Sequence, residues 1–79
     1  MANLRPVGLD EYGLIPAIRW YARSFSSRTG ISVQVHADDD ERLAVSVETE
    51  LFRIAQEAFT NILKYADADL VKVFFKRRN

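Results

Sequence analysis

Apolar positions along the chain fall into four periodic segments, separated by Gly, Pro or acidic punctuation. Over 14–28, Leu14, Ala17, Ile18, Tyr21, Ala22 and Phe25 recur in alternating steps of three and one, which is the spacing of one helical face. Pro16 falls in the first turn, where its missing N–H costs nothing, and Gly30 supplies a C-terminal stop. Arg19, Arg23 and Arg28 occupy the opposite side. Over 31–36, Ile31, Val33 and Val35 alternate with Ser32, Gln34 and His36, so this stretch is a strand with one buried face. Asp38, Asp39, Asp40 and Glu41 end it in a solvated turn. A long helix is predicted over 47–66, with Val47, Leu51, Ile54, Ala55, Ala58, Phe59, Ile62 and Ala66 as its apolar stripe. Ser46 is its expected N-cap, and Glu48 and Glu50 suit the dipole of its first turn. Over 70–76, Val71, Val73 and Phe75 share one face of a second strand, and Leu70, Lys72, Phe74 and Lys76 share the other. Residues 4–9, punctuated by Pro6 and Gly8, are irregular or the tail of another helix.

The resulting α-β-α-β order predicts an α/β (α+β) two-layer sandwich, with helices on one face of a small sheet. A two-stranded sheet is marginal in water, and the second strand, apolar on both faces, calls for another neighbour. Composition narrows the class. The 79 residues are 48% apolar and 11% aromatic, which argues against disorder and allows one small, marginal domain. The absence of Cys excludes a disulfide framework and a thiolate metal site. Eleven basic and eleven acidic residues cancel, which removes the broad electrostatic case for a nucleic acid or a membrane surface. No apolar run approaches the roughly 18 residues needed to span a bilayer, and the opening MANLRP lacks the apolar core of a signal peptide. The expectation is a soluble, cytoplasmic piece without direct membrane contact.

Candidate chemistry lies on the long helix. On a wheel of about 100° per residue with Leu51 at zero, Glu50, Glu57, Asn61 and Lys64 fall between about 220° and 280°, and Tyr65 near 320°. An acid, a carboxamide, an ammonium and a phenol thus line one flank of the apolar stripe. Carboxylate and carboxamide oxygens are hard ligands suited to Mg²⁺, which keeps several waters and leans on nucleotide phosphates. Lys64 and Tyr65 have the donors to reach phosphate oxygens. Pairs such as Arg53–Glu57 are equally ordinary decoration of an amphipathic helix, and Asn61 is the odd member, because Asn is a poor mid-helix residue.

The stretch LFRIAQEAFTNILKYA over 51–66 resembles the N-box of bacterial sensor histidine kinases, in the flavour of the nitrate-sensor/DesK-like branch. A second match supports it: Leu4-Arg5-Pro6, Leu9-Asp10, Gly13-Leu14 and Ala17-Ile18 resemble the junction where the dimerisation helices of that branch hand over to its ATP-binding domain. Arg28-Thr29-Gly30-Ile31 and the Val71-Val73-Phe75 strand fit as well, so the likeness covers essentially the whole chain. It implies a Bergerat-type (GHKL) ATP-binding fold in partial form. Residues 1–13 would be linker, and 14–79 the N-terminal part of the ATP-binding domain. The resemblance implies that Asn61 coordinates Mg²⁺ bridging the ATP phosphates, that Lys64 and Tyr65 lie near those phosphates, and that Glu57 is the N-box acid, a polarising group or water organiser. The branch usually has His where Tyr65 stands. The implied parent transfers the ATP γ-phosphate to a histidine and signals to a response regulator.

The family's Asp-x-Gly-x-Gly loop has no counterpart here, since Gly8, Gly13 and Gly30 all precede the N-box. The phosphoacceptor histidine is also missing, because the one His, His36, ends a strand and reads as a surface residue. The chain is therefore expected to be inactive alone and to bind ATP weakly. It is also expected to self-associate through an exposed strand edge or exchanged elements. The acidic run 38–41 lacks the Gly turn and alternating ligands of a cation loop. Lys76, Arg77 and Arg78 are weak support for nucleic-acid binding on a neutral chain. Trp20 lies off the first helix stripe, half exposed or against a partner.

Overall fold

A computed structural model gives the protein over residues 8–38 and 42–76. Its elements are α1 (Leu9–Tyr12), α2 (Leu14–Thr29), β1 (Ser32–Ala37), α3 (Val45–Tyr65) and β2 (Leu70–Phe75). The expected order holds, with a single helical turn, α1, added ahead of it. The Leu4-Arg5-Pro6 part of the junction, residues 39–41 of the acidic run and Arg77 and Arg78 lie outside the described residues.

In α2, the periodic set Leu14, Ala17, Ile18, Ala22 and Phe25 is buried, as the spacing requires. Its end is closed twice. Gly30 takes φ 80°, and its N–H donates to Ser26 O at 2.8 Å, which leaves a left-handed residue where glycine is least strained. Thr29 Oγ1 donates to Phe25 O at 2.8 Å and accepts the Ile31 N–H at 3.1 Å, so the helix stop and the strand start share one hydroxyl.

β1 and β2 pair in parallel, with Ser32 opposite Leu70 and Ala37 opposite Phe75. Parallel neighbours need a crossover, and α3 provides it. Val33, Val35 and Ala37 with Val71, Val73 and Phe75 form the half-buried inner face, while Ser32, Gln34, His36, Leu70, Lys72 and Phe74 face outward. The core is two adjoining clusters. Leu9, Leu14, Ala17, Ile18 and Phe52 make one; Ala22, Phe25 and Phe59, packed against Val33, Val71 and Val73, make the other. Tyr21 joins them, its ring centroid 5.7 Å from Phe52 and 5.5 Å from Phe59. Full burial of one such aromatic contributes about 1.5–3 kcal/mol, so these few rings carry much of the stability of a small chain.

Two expectations for α3 are corrected. Ser46 is not the N-cap: the helix begins at Val45 after Ala44, and no side chain caps it. The carboxylate of Glu48 instead reaches back to the chain entering the helix, accepting the half-buried Leu43 N–H at 3.1 Å. The apolar stripe is also rotated. Glu48, Phe52 and Phe59 are buried, whereas Val47 (44% exposed), Ile54 (53%) and Ala58 face outward. α3 meets α2 and the sheet along one side only, and among the described residues no element covers the remaining apolar arc.

Candidate functional site

The flank of α3 carries the sequence-predicted residues on successive turns. Glu57, Asn61, Lys64 and Tyr65 are all exposed, Tyr65 to 81%. None has a hydrogen-bond or ion-pair partner among the described residues. Glu50 is engaged: Arg53 Nη1 donates to its Oε1 at 3.2 Å, an exposed i,i+3 pair. The Arg53–Glu57 pair allowed by spacing is not among the ion pairs formed. Glu57 also lines a shallow cavity of about 310 Å³ with Glu50, Arg53, Ile54, Gln56 and Thr60. Asn61, Lys64 and Tyr65 lie outside that cavity, further along the helix. The structure thus brings together three unengaged polar side chains, Glu57, Asn61 and Lys64, on one solvent-facing strip. Glu57 and Asn61 are one turn apart, about 6 Å along the axis.

The other candidates stand apart from this strip. His36 is a surface residue, as expected, stacked on Phe74 with centroids 4.9 Å apart. Trp20, 43% exposed, meets Tyr12 edge-on at 5.5 Å. No group of three or more His, Cys, Asp or Glu able to hold a metal ion exists among the described residues.

One polar centre escaped the sequence reading. Glu48, taken as a dipole decoration, is 3% exposed. Arg42 donates to its two oxygens at 3.1 and 3.2 Å, and to Asp10 O at 3.3 Å. Burial pushes the Glu48 carboxyl upward, but the hydrogen bonds from Arg42 and from the Leu43 and Leu14 backbones, with the charge of Arg42, outweigh it and hold the group below its ordinary value. Gly13, at φ 98°, makes room for the clamp: a Cβ there would lie 2.7 Å from Arg42 Cδ. The signal was present on the helical wheel, where Glu48 falls at about 60°, in the middle of the apolar arc.

The sequence is similar to segments of known proteins. The chain is 42% identical over 72 residues to the oxygen sensor histidine kinase NreB of Staphylococcus carnosus, covering 90% of this chain and 21% of that protein. It is 43% identical over 72 residues to the signal transduction histidine-protein kinase/phosphatase DegS of Brevibacillus brevis, covering 90% of this chain and 19% of that protein. The chain corresponds to a segment of sensor histidine kinases of this type. DegS of Bacillus subtilis agrees, at 40% identity over 74 residues. The chain spans about a fifth of the length of these relatives. No family model and no solved structure matches it. Among its described residues, no helix is long and apolar enough to cross a membrane.

Proposed function

We propose that this kinase segment contributes the phosphate-binding flank of a Bergerat-type ATP-binding domain, with residues 1–13 as linker and 14–79 as the first part of that domain. The observation that carries the reading is the strip of α3, where Glu57, Asn61 and Lys64 stand exposed and unengaged within a stretch that resembles the N-box. The donor set fits Mg²⁺: a carboxamide and a carboxylate oxygen, one turn apart, leave most of the coordination to waters and phosphates, as this cation prefers. Asn61 is the metal ligand, Lys64 and Tyr65 approach the phosphates, and Glu57 orients a water or polarises the reacting group. When bound, Mg²⁺ offsets the charge that develops on a transferring phosphoryl group. The parent then passes the γ-phosphate to a histidine and signals to a response regulator from the cytoplasmic side.

An open strip holds a nucleotide weakly, because isolated phosphate contacts in water barely offset the entropy of association. We therefore propose that this chain alone binds Mg-ATP weakly and does not autophosphorylate. The test is nuclear magnetic resonance with Mn-ATP, whose paramagnetic ion broadens nearby signals. The reading requires broadening centred on Asn61 and Glu57, lost in Asn61→Ala. Broadening centred on another element, or micromolar Mg-ATP affinity by calorimetry, would contradict it.

The outward sheet face favours a second reading. Leu70 is 45% and Phe74 59% exposed, and the outer edge of β2 has no partner strand among the described residues. Self-association that pairs this edge and stacks the outer faces of two copies would cover both. A monomer by light scattering at high concentration counts against it.

A further inference from the structure

We propose that the open edge of β1, flanked by Arg19 and Arg23, is a docking strip for an extended acidic segment of a partner protein that carries carboxylates at alternate positions. The edge follows from the pairing pattern. Ser32 N–H donates to Asp69 O at 2.9 Å, and Asp38 N–H donates to Phe75 O at 3.3 Å. Even-numbered residues of β1 therefore turn their backbone groups toward β2, and those of Val33, Val35 and Ala37 point to the open side. Between this edge and α2 runs a groove of about 250 Å³, lined by Arg19, Ala22, Arg23, Ser26, Val33 and Val35. Both arginines are exposed, and neither forms an ion pair among the described residues. The groove is thus cationic and lies alongside a row of backbone donors and acceptors.

Arg19 Nη1 donates to Val35 O at 3.1 Å. This contact covers one acceptor of the open edge, as charged side chains do where sheet edges are blunted. The acceptor is neutral, and a hydrogen bond between ionised partners is roughly twice as strong. A carboxylate in the groove draws the Arg19 guanidinium away and frees the Val35 carbonyl for an incoming N–H. A neutral strand has nothing with which to displace it. Spacing adds selectivity. Arg19 and Arg23 are one turn apart, about 6 Å along the helix axis, and alternate residues of a strand lie about 6.8 Å apart on one face. An Asp-x-Asp segment laid along β1 matches both guanidinium groups while its main chain pairs with the edge. Main-chain pairing then supplies affinity and the acidic side chains supply selectivity, as in other added-strand complexes.

The test titrates the isotope-labelled chain with a short capped peptide of alternating Thr and Val bearing a central Asp-Thr-Asp, and with its Asn-Thr-Asn counterpart. The acidic peptide is expected to bind at least about tenfold more tightly. It should shift the amide signals of Val33, Val35 and Ala37, and lose its advantage in the Arg19→Ala/Arg23→Ala double variant. Arg19→Lys/Arg23→Lys keeps the charge and should retain part of it. Both arginines are exposed, so these variants leave the core intact. Equal binding of the two peptides, or shifts centred away from β1, would overturn the proposal. So would a dimer, formed without peptide, that the double alanine variant abolishes, because a second copy would then be the occupant.

Discussion

Removing the Glu48 carboxylate should be among the most damaging changes outside the apolar core. In Glu48→Ala, the Leu43 N–H loses its acceptor and Arg42 loses both of its contacts to the carboxylate. A buried donor left unpaired costs about 1–3 kcal/mol, and Leu43 is only half-buried, so its share falls at the low end. Loss of an acid from the first turn of α3 adds about 0.3–1 kcal/mol. With the Leu14 backbone also affected, the total is about 2–3 kcal/mol. A chain of this size has about 4–12 kcal/mol of stability in all. At about 4–8 °C per kcal/mol, Tm should fall by about 10–20 °C at neutral pH. The pH dependence sharpens the test. Because the folded carboxyl titrates below its unfolded value, its stabilisation is complete above about pH 4.3. It is lost as pH falls through the folded value. Wild type and Glu48→Ala should therefore converge in acid. Thermal unfolding followed by circular dichroism, with Glu50→Ala as control, provides the assay. Glu50 sits in an exposed pair with Arg53 and should change stability by less than about 0.5 kcal/mol. A gap between wild type and Glu48→Ala that persists unchanged in acid, or one no larger than the control's, would rule out a stabilising charged Glu48.

Other outcomes follow from the same contacts. Phe59→Ala opens a cavity beside Phe25 and Tyr21 and should cost about 3–5 kcal/mol, enough to leave much of the chain unfolded in a urea titration. Gly30→Ala meets open space at φ 80° and should cost about 1–2 kcal/mol from backbone conformation alone. Gly13→Ala should cost more in the same titration, since its Cβ also displaces Arg42. Asn61→Ala, at an exposed mid-helix position without partners, should raise stability by about 0.5 kcal/mol through helix propensity while abolishing the Mn-ATP broadening.

Helix α2 and both strands were legible because each has a single periodic face, and their observed bounds lie within one residue of the expected ones. The buried side of α3 was harder to read. Its sequence is apolar over a wide arc, and periodicity cannot say which part meets a neighbour; packing on α2 and the sheet selects Phe52 and Phe59 and leaves Val47 and Ile54 outside. Ser46 looked like a cap because a hydroxyl before an acidic turn fits that role, yet the helix already begins at Val45, which puts Ser46 inside its first turn. The strip of Glu57, Asn61 and Lys64 was readable as a shared flank, since helical geometry alone places those residues. The Arg42 clamp was not, because it joins Asp10, Gly13 and Glu48 only in the folded chain.

The parallel pairing of β1 and β2 bears on the order of folding. Ser32 meets Leu70 across the whole of α3, so the sheet is the most non-local feature of the chain, and closing so long a connection is entropically costly before any ladder bond forms. The helices, built from local contacts, can form first; α2 and α3 then meet through Tyr21, Phe52 and Phe59. The strands would zip last onto a platform already in place. Mutations at those rings should slow folding, whereas mutations at Val71 or Val73 should mainly speed unfolding.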